Sequence, residues 1–218
     1  MRVAEHTGQM DWVASPSGTV QRKRVHLVGP PESGQVTSVV RYEPGATFPP
    51  HDHPEGEEIL VLDGVFSDEH GDWPAGTYLL NPEGFRHAPF SRPGCLLLVK
   101  LRQFPGLDRV HIALDTNATP WIATENEAVS RKPLYQQAGF QDQMWLERWD
   151  AGASFAGRRY PDGAELFVIK GSYEDEFGSY SEGSWQRLPV GSSHTPHSAT
   201  GCTLYVKTGG FPYLRAAG

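Results

Sequence analysis

Four residues of this 218-residue chain, His51, His53, Glu57 and His87, are of the types that hold a transition metal, and their spacing lets them meet. On a strand, residues two apart point to the same face, so His51 and His53 aim their imidazoles together. The Pro54, Glu55, Gly56 turn can bring Glu57 back beside them. His87 closes the set from a later strand. Three neutral imidazoles and one carboxylate leave a divalent ion with net positive charge for water or an anionic ligand. Mixed nitrogen and oxygen donors suit iron, manganese, nickel, copper or zinc, and the spacing does not choose among them. Four ligands on an octahedral ion leave open positions for chemistry, whereas tetrahedral zinc would be closed. The expectation is one divalent ion per chain (Zn, Fe, Mn or Ni) with a small-molecule or oxidant ligand above it.

The elements that must position these residues are strands. Val36 to Tyr42 alternates as a strand, and Ile59 to Leu62, Val65 with Phe66, Thr77 to Leu80 and Leu96 to Leu101 follow. Asp68 to Asp72 contains hairpin-turn residues, which makes His70 an exposed turn residue rather than a ligand. No segment offers a helix pattern of ordinary length. Gly and Pro together number 42, the balance of short strands joined by tight turns. Nineteen basic against 26 acidic residues give a formal charge of −7, which argues against a nucleic-acid partner. The first thirty residues hold no apolar stretch of signal-peptide length, and no run is long enough to span a bilayer. A cytoplasmic protein without membrane contact is expected. Near the start, Ser15, Pro16, Ser17 and Gly18 form a turn before the basic run Arg22, Lys23, Arg24, which reads as a solvated strand end.

The spacing carries a resemblance. Gly45, His51, His53, Glu57 and Gly64 match the first cupin motif, in which Gly, His, His, Glu and Gly are separated by five, one, three or four, and six residues. Gly76, Pro82, Gly84 and His87 match the second motif, with Ser91 where that family usually has Asn. The run EEILVLDGVFSDEHGDWPAGTY, from Glu57 to Tyr78, is most similar to the cupin domain of ChrR-type anti-sigma factors. In that family an N-terminal helical domain with a zinc-bound His and two Cys grips the sigma factor. This chain has no Cys before Cys95, so the resemblance does not extend to direct sigma-factor binding.

Adding 107 to residues 41 to 100 aligns them without a gap on 148 to 207. Gly45 falls on Gly152, Phe48 on Phe155, Gly64 on Gly171, Gly76 on Gly183, Pro82 on Pro189, Gly84 on Gly191 and His87 on His194. Repetition at this length means two domains of one fold. With the cupin resemblance it implies an all-β bicupin of two tandem double-stranded β-helix (jelly-roll) barrels. The expected division is a metal-binding barrel at 1–104, a linker at 105–120 and a second barrel at 121–218. In the second copy His51 becomes Arg158, His53 becomes Tyr160 and Glu57 becomes Ala164, while His87 persists as His194. A guanidinium offers no lone pair, so this barrel should lack the metal. Arg158, Tyr160 and His194 could instead hold a small anion; the alternative pairs Arg158 with a carboxylate such as Glu165. Cys95 and Cys202 correspond and read as small buried apolar side chains.

Two functions follow from the resemblance. The likeness to the ChrR cupin implies a regulatory metallo-sensor of oxidative stress. The likeness to cupin dioxygenases implies O₂-dependent cleavage of a carbon–carbon bond in a small carbonyl compound. Cupin barrels often associate through their outer sheets, so the resemblance also implies a homodimer.

Overall fold

The computed structural model describes residues 1–16 and 18–215. Ser17 of the expected turn, and residues 216–218 of the expected second barrel, lie outside them. Among the described residues the only helical turns are the short 3₁₀ segments Thr7–Gln9 and Phe211–Tyr213, and the rest of the regular structure is strand. No helix among them is long and apolar enough to cross a membrane.

The chain folds as two compact units. In the first barrel the strands run in the order Ile112–Asp115, Thr77–Asn81, Glu57–Asp68, Cys95–Leu101, Gln35–Tyr42, Val20–Val28 and Val13–Ala14, all antiparallel. The short strands Phe90–Ser91, Ala46–Thr47 and Gly71–Pro74 form the opposite sheet. Between them lies a core of Val20, Val40, Ile59, Phe66, Leu79 and Leu97, together with Cys95. Each such aliphatic side chain contributes roughly 1.5–3 kcal/mol when fully buried. The second barrel repeats this order, and its core places Leu166, Tyr173, Leu204 and Cys202 where the first has Ile59, Phe66, Leu97 and Cys95. Both cysteines are buried and free, as small core residues would be.

Glu57–Asp68 is one continuous strand rather than the two short ones the alternation implied. It crosses from one sheet to the other by bending at Gly64. There φ is +72°, and a Cβ would stand 2.1 Å from the Gly94 carbonyl oxygen. The register against Cys95–Leu101 slips between Leu96 and Leu97, as expected of a bulge beside a glycine in left-handed geometry. Gly171 makes the same bend in the second barrel.

The unit boundaries differ from the expected ones. The segment expected as linker contains Ile112–Asp115, which pairs with Thr77–Asn81 as an edge strand of the first barrel. The N-terminal strand Val3–His6 pairs with Ser184–Leu188 and belongs to the second barrel. The two edges end alike: Thr116 Oγ donates to the Gly76 carbonyl at 2.6 Å, and Thr7 Oγ donates to that of Gly183 at 3.0 Å. Trp12 lies under Lys23 and Arg41, at 4.5 and 4.1 Å from its ring, and Trp121 lies likewise under Lys132 and Arg148. Cation–aromatic stacking thus explains why Trp and the basic pairs recur with the repeat.

Candidate metal centre

Strand pairing brings the first histidines together. His51–Asp52 lies antiparallel to Arg86–His87, with His51 directly opposite His87. Beyond that pair, the His53 N–H donates to the Phe85 carbonyl at 2.9 Å, which holds the next imidazole on the same side. The ring nitrogens of His51, His53 and His87 lie within 4.8 Å of one another. His53 Nε2 and His87 Nε2 are 2.8 Å apart. Two nitrogens at about 2.0–2.1 Å from one ion and at right angles would be roughly 2.9 Å apart, so this spacing suits adjacent coordination positions. Glu57 Oε2 stands 3.3 Å from His53 Nε2 and 3.5 Å from His87 Nε2. The three imidazoles therefore fit a divalent ion, and the Glu57 carboxylate, expected as the fourth ligand, lies beside two of them, His53 and His87.

The next layer fixes the lone pairs. His51 Nδ1 is 2.8 Å from the Pro49 carbonyl oxygen. A carbonyl only accepts, so the proton is on Nδ1 and Nε2 is free to coordinate. His87 Nδ1 donates in the same way to Asp68 Oδ2 at 3.0 Å. Asn81, paired with Glu57 across the sheet, donates from Nδ2 to Glu57 Oε2 at 2.9 Å. Burial lowers the His53 pKa, and Glu57 offsets only part of that. Burial works the same way on His87, but the Asp68 bond and the Glu57 charge outweigh it and its pKa is raised. Burial would raise Asp68; hydrogen bonds from His87, the His70 N–H and Trp73 hold it below the usual carboxylate range. His70 itself sits at the hairpin tip, as its neighbours implied.

A cavity of about 310 Å³ leads to this centre, lined by His51, His53, Phe48, Val40, Val99 and Leu101 and rimmed by Arg22, Arg24 and Arg102. A smaller pocket of about 80 Å³ continues inward past Glu57, Tyr42 and Phe66. Arg22 and Arg24 thus belong to the cavity mouth instead of to a solvated strand end. Both are bound by Glu32, at 2.7 and 2.9 Å.

In the second barrel, Arg158–Tyr160 pairs with Ser192–His194 and sets Arg158 opposite His194. Tyr160 Oη lies 3.4 Å from His194 Nε2, so the three residues expected to hold an anion do converge. The guanidinium, however, is already engaged. Its Nη1 and Nη2 both bind Glu147, the second at 2.9 Å, and Glu147 is completely buried. Arg131 Nε, Trp145 Nε1 and Trp149 Nε1 also donate to Glu147, at 2.7, 2.9 and 2.7 Å. Burial alone would raise the Glu147 pKa; Arg158 and these donors instead bring it down to about 2. An internal carboxylate occupies the guanidinium that the sequence offers to an external anion. It is Glu147 and not Glu165, which binds Arg187 at 2.6 Å. His194 keeps the companion of His87: its Nδ1 lies 2.8 Å from Asp175 Oδ2.

Asp68, Asn81, Arg102 and Glu147 escaped the sequence reading. Asp68 reads as a hairpin residue, although its recurrence as Asp175, at the same separation of 19 residues from the recurring His87 and His194, is a usable signal. Glu147 stands where the first copy has Val40, so a charge replaces a core residue of the first barrel.

A family model described as the ChrR cupin-like domain matches twice, over residues 1–105 and 109–212. No curated protein matches the chain. Among solved structures, a Nostoc punctiforme protein provisionally described as a dioxygenase superposes with a TM-score of 0.77 at 17% identity, covering 99% of this chain and 85% of its own. The Escherichia coli pirin YhhW, in complex with nickel(II), gives 0.71 at 12% identity, covering 95% and 98%. A single-substitution variant of Bacillus subtilis oxalate decarboxylase gives 0.66 at 15% identity, covering 94% and 76%. At these identities the likeness is one of fold.

Proposed function

We propose that this chain, which belongs to the ChrR cupin-like domain family, is a metal-dependent enzyme of the oxygenase class acting on a small carbonyl compound. The observation that carries the reading is that His51 and His53 of the His51, His53, His87 cluster line the cavity wall, with Glu57 lining the smaller pocket within. A divalent ion there would polarise a carbonyl oxygen, and a redox-active one such as iron would also engage O₂. The chain's own residues do the rest. Asp68, Pro49 and Asn81 hold the donor atoms toward one point. Val40, Val99, Leu101 and Phe48 exclude water from the bound molecule and receive its apolar part.

The test is elemental analysis of protein purified without added metal or a His tag, followed by oxygen uptake with 1,3-diketones and 2-oxo acids. About one iron per chain with substrate-dependent oxygen uptake supports the reading. About one zinc that resists chelation, without turnover, counts against it. That second result would favour the other reading, a metallo-sensor responding to an oxidant or small ligand, which rests on the family match over both repeats.

A further inference from the structure

The cavity above the metal centre contains three arginines, and they are not equivalent. Arg22 and Arg24 share Glu32. Among the described residues the Arg102 guanidinium has no carboxylate, carbonyl or ring partner, although the residue is half-buried and lines the same cavity as His51 and His53. Its backbone is held on both sides: the Arg102 N–H donates to the Gly56 carbonyl at 2.9 Å, and its carbonyl accepts from Gln35 Nε2 at 2.6 Å. That anchoring places it at φ +61°, in the left-handed region that disfavours side chains. The matching residue of the other repeat is Gly209, at φ +78°. A long cationic side chain thus occupies a glycine-type backbone position, beside the apolar Val99 and Leu101 of the cavity wall, with its charge uncommitted.

We infer that Arg102 is a specificity-determining residue that receives the carboxylate of a small organic acid whose other polar end faces the His51, His53, His87 centre. A guanidinium offers two parallel N–H donors that match a carboxylate, and it keeps its charge at any physiological pH. The flanking Val99 and Leu101 suit a short hydrocarbon body, and about 310 Å³ is at the small end of ligand cavities. The substrate class is therefore a short 2-oxo acid or related monocarboxylate rather than a neutral diketone. This deepens the proposed enzyme reading and rests on it for the orientation of the ligand.

The test is calorimetric binding of 2-oxovalerate and of its uncharged counterpart 2-pentanone to metal-loaded protein, with metal content measured on the same samples. Arg102→Gln and Arg102→Gly should weaken 2-oxovalerate binding at least tenfold and leave 2-pentanone unchanged, while Arg102→Lys recovers part of the loss. Arg102→Gly should also keep or raise the Tm, because glycine accepts the backbone geometry; a merely structural arginine would lower it. Equal binding of the acid by all variants, or no preference of the wild type for the acid over the ketone, overturns the inference. If the chain takes up no metal the enzyme reading fails, and the same comparison on the metal-free chain still decides the role of Arg102.

Discussion

His87 and Asp68 form a buried pair, with Nδ1 3.0 Å from Oδ2, and the pair recurs as His194 and Asp175 at 2.8 Å in the barrel whose other three ligand positions have changed. In the first barrel the paired imidazole faces two further imidazoles and a carboxylate; in the second it faces the Tyr160 hydroxyl. Asp68→Asn should therefore lower metal affinity by roughly 10–100-fold, the usual effect of losing a carboxylate behind a ligating histidine. Asp175→Asn should leave metal content alone. Competition with a chelator of known affinity measures both, and equal metal retention in the Asp68 variant would contradict the assigned role.

Removing a ligand should have a larger effect. His51→Ala and Glu57→Ala are expected to abolish binding of the ion, while His194→Ala leaves the stoichiometry unchanged. Moles of metal per chain are the readout. Two ions per chain in the wild type would mean that the second barrel also binds.

The buried Glu147–Arg158 pair predicts a stability effect without a metal effect. Glu147→Val, which installs the residue found at the matching position Val40, leaves a guanidinium buried without its counter-charge and should cost about 3–5 kcal/mol. Replacing both partners by apolar residues should recover most of that. The pH dependence has a definite sign. The folded-state pKa of Glu147 is about 2, below its unfolded value near 4.3. Its contribution is therefore complete above roughly pH 4.3 and declines as the pH falls toward 2. Urea midpoints between pH 5 and 2.5 should drop more steeply for the wild type than for the doubly apolar variant.

Gly64→Ala should destabilise the first barrel by more than about 1 kcal/mol, since the new methyl carbon would meet the Gly94 carbonyl oxygen and the φ value disfavours any side chain. Because this bend lets one strand deliver Glu57 at one end and Asp68 at the other, metal affinity should fall as well. Thermal unfolding with and without the ion tests both. An unchanged Tm would show that the bulge can relax.

The clustering of the histidines was legible because cupin spacing depends on short-range geometry: two imidazoles two residues apart, a turn, and a carboxylate. The barrels were legible because glycines at bends recur with a fixed offset. What lay beyond reach depends on tertiary register. Nothing near Asp68 in sequence indicates that its second oxygen reaches His87, since its first serves the hairpin as expected. Glu147 and Arg158 meet only because separate strands of one barrel face each other. Arg158 is visible in the sequence as a cation without a lone pair, but its counter-charge is not: strand pairing gives the nearby Glu165 to Arg187.

The placement of Val3–His6 in the second barrel and of Ile112–Asp115 in the first means that the stretch that repeats in sequence is not the stretch that folds. The two periods are offset by one edge strand. Cutting the chain at the seam between repeats would leave each half with a borrowed strand attached and its own edge bare. Two copies of a single half could satisfy both by trading those strands, which would yield a dimer with the same topology as the duplicated chain.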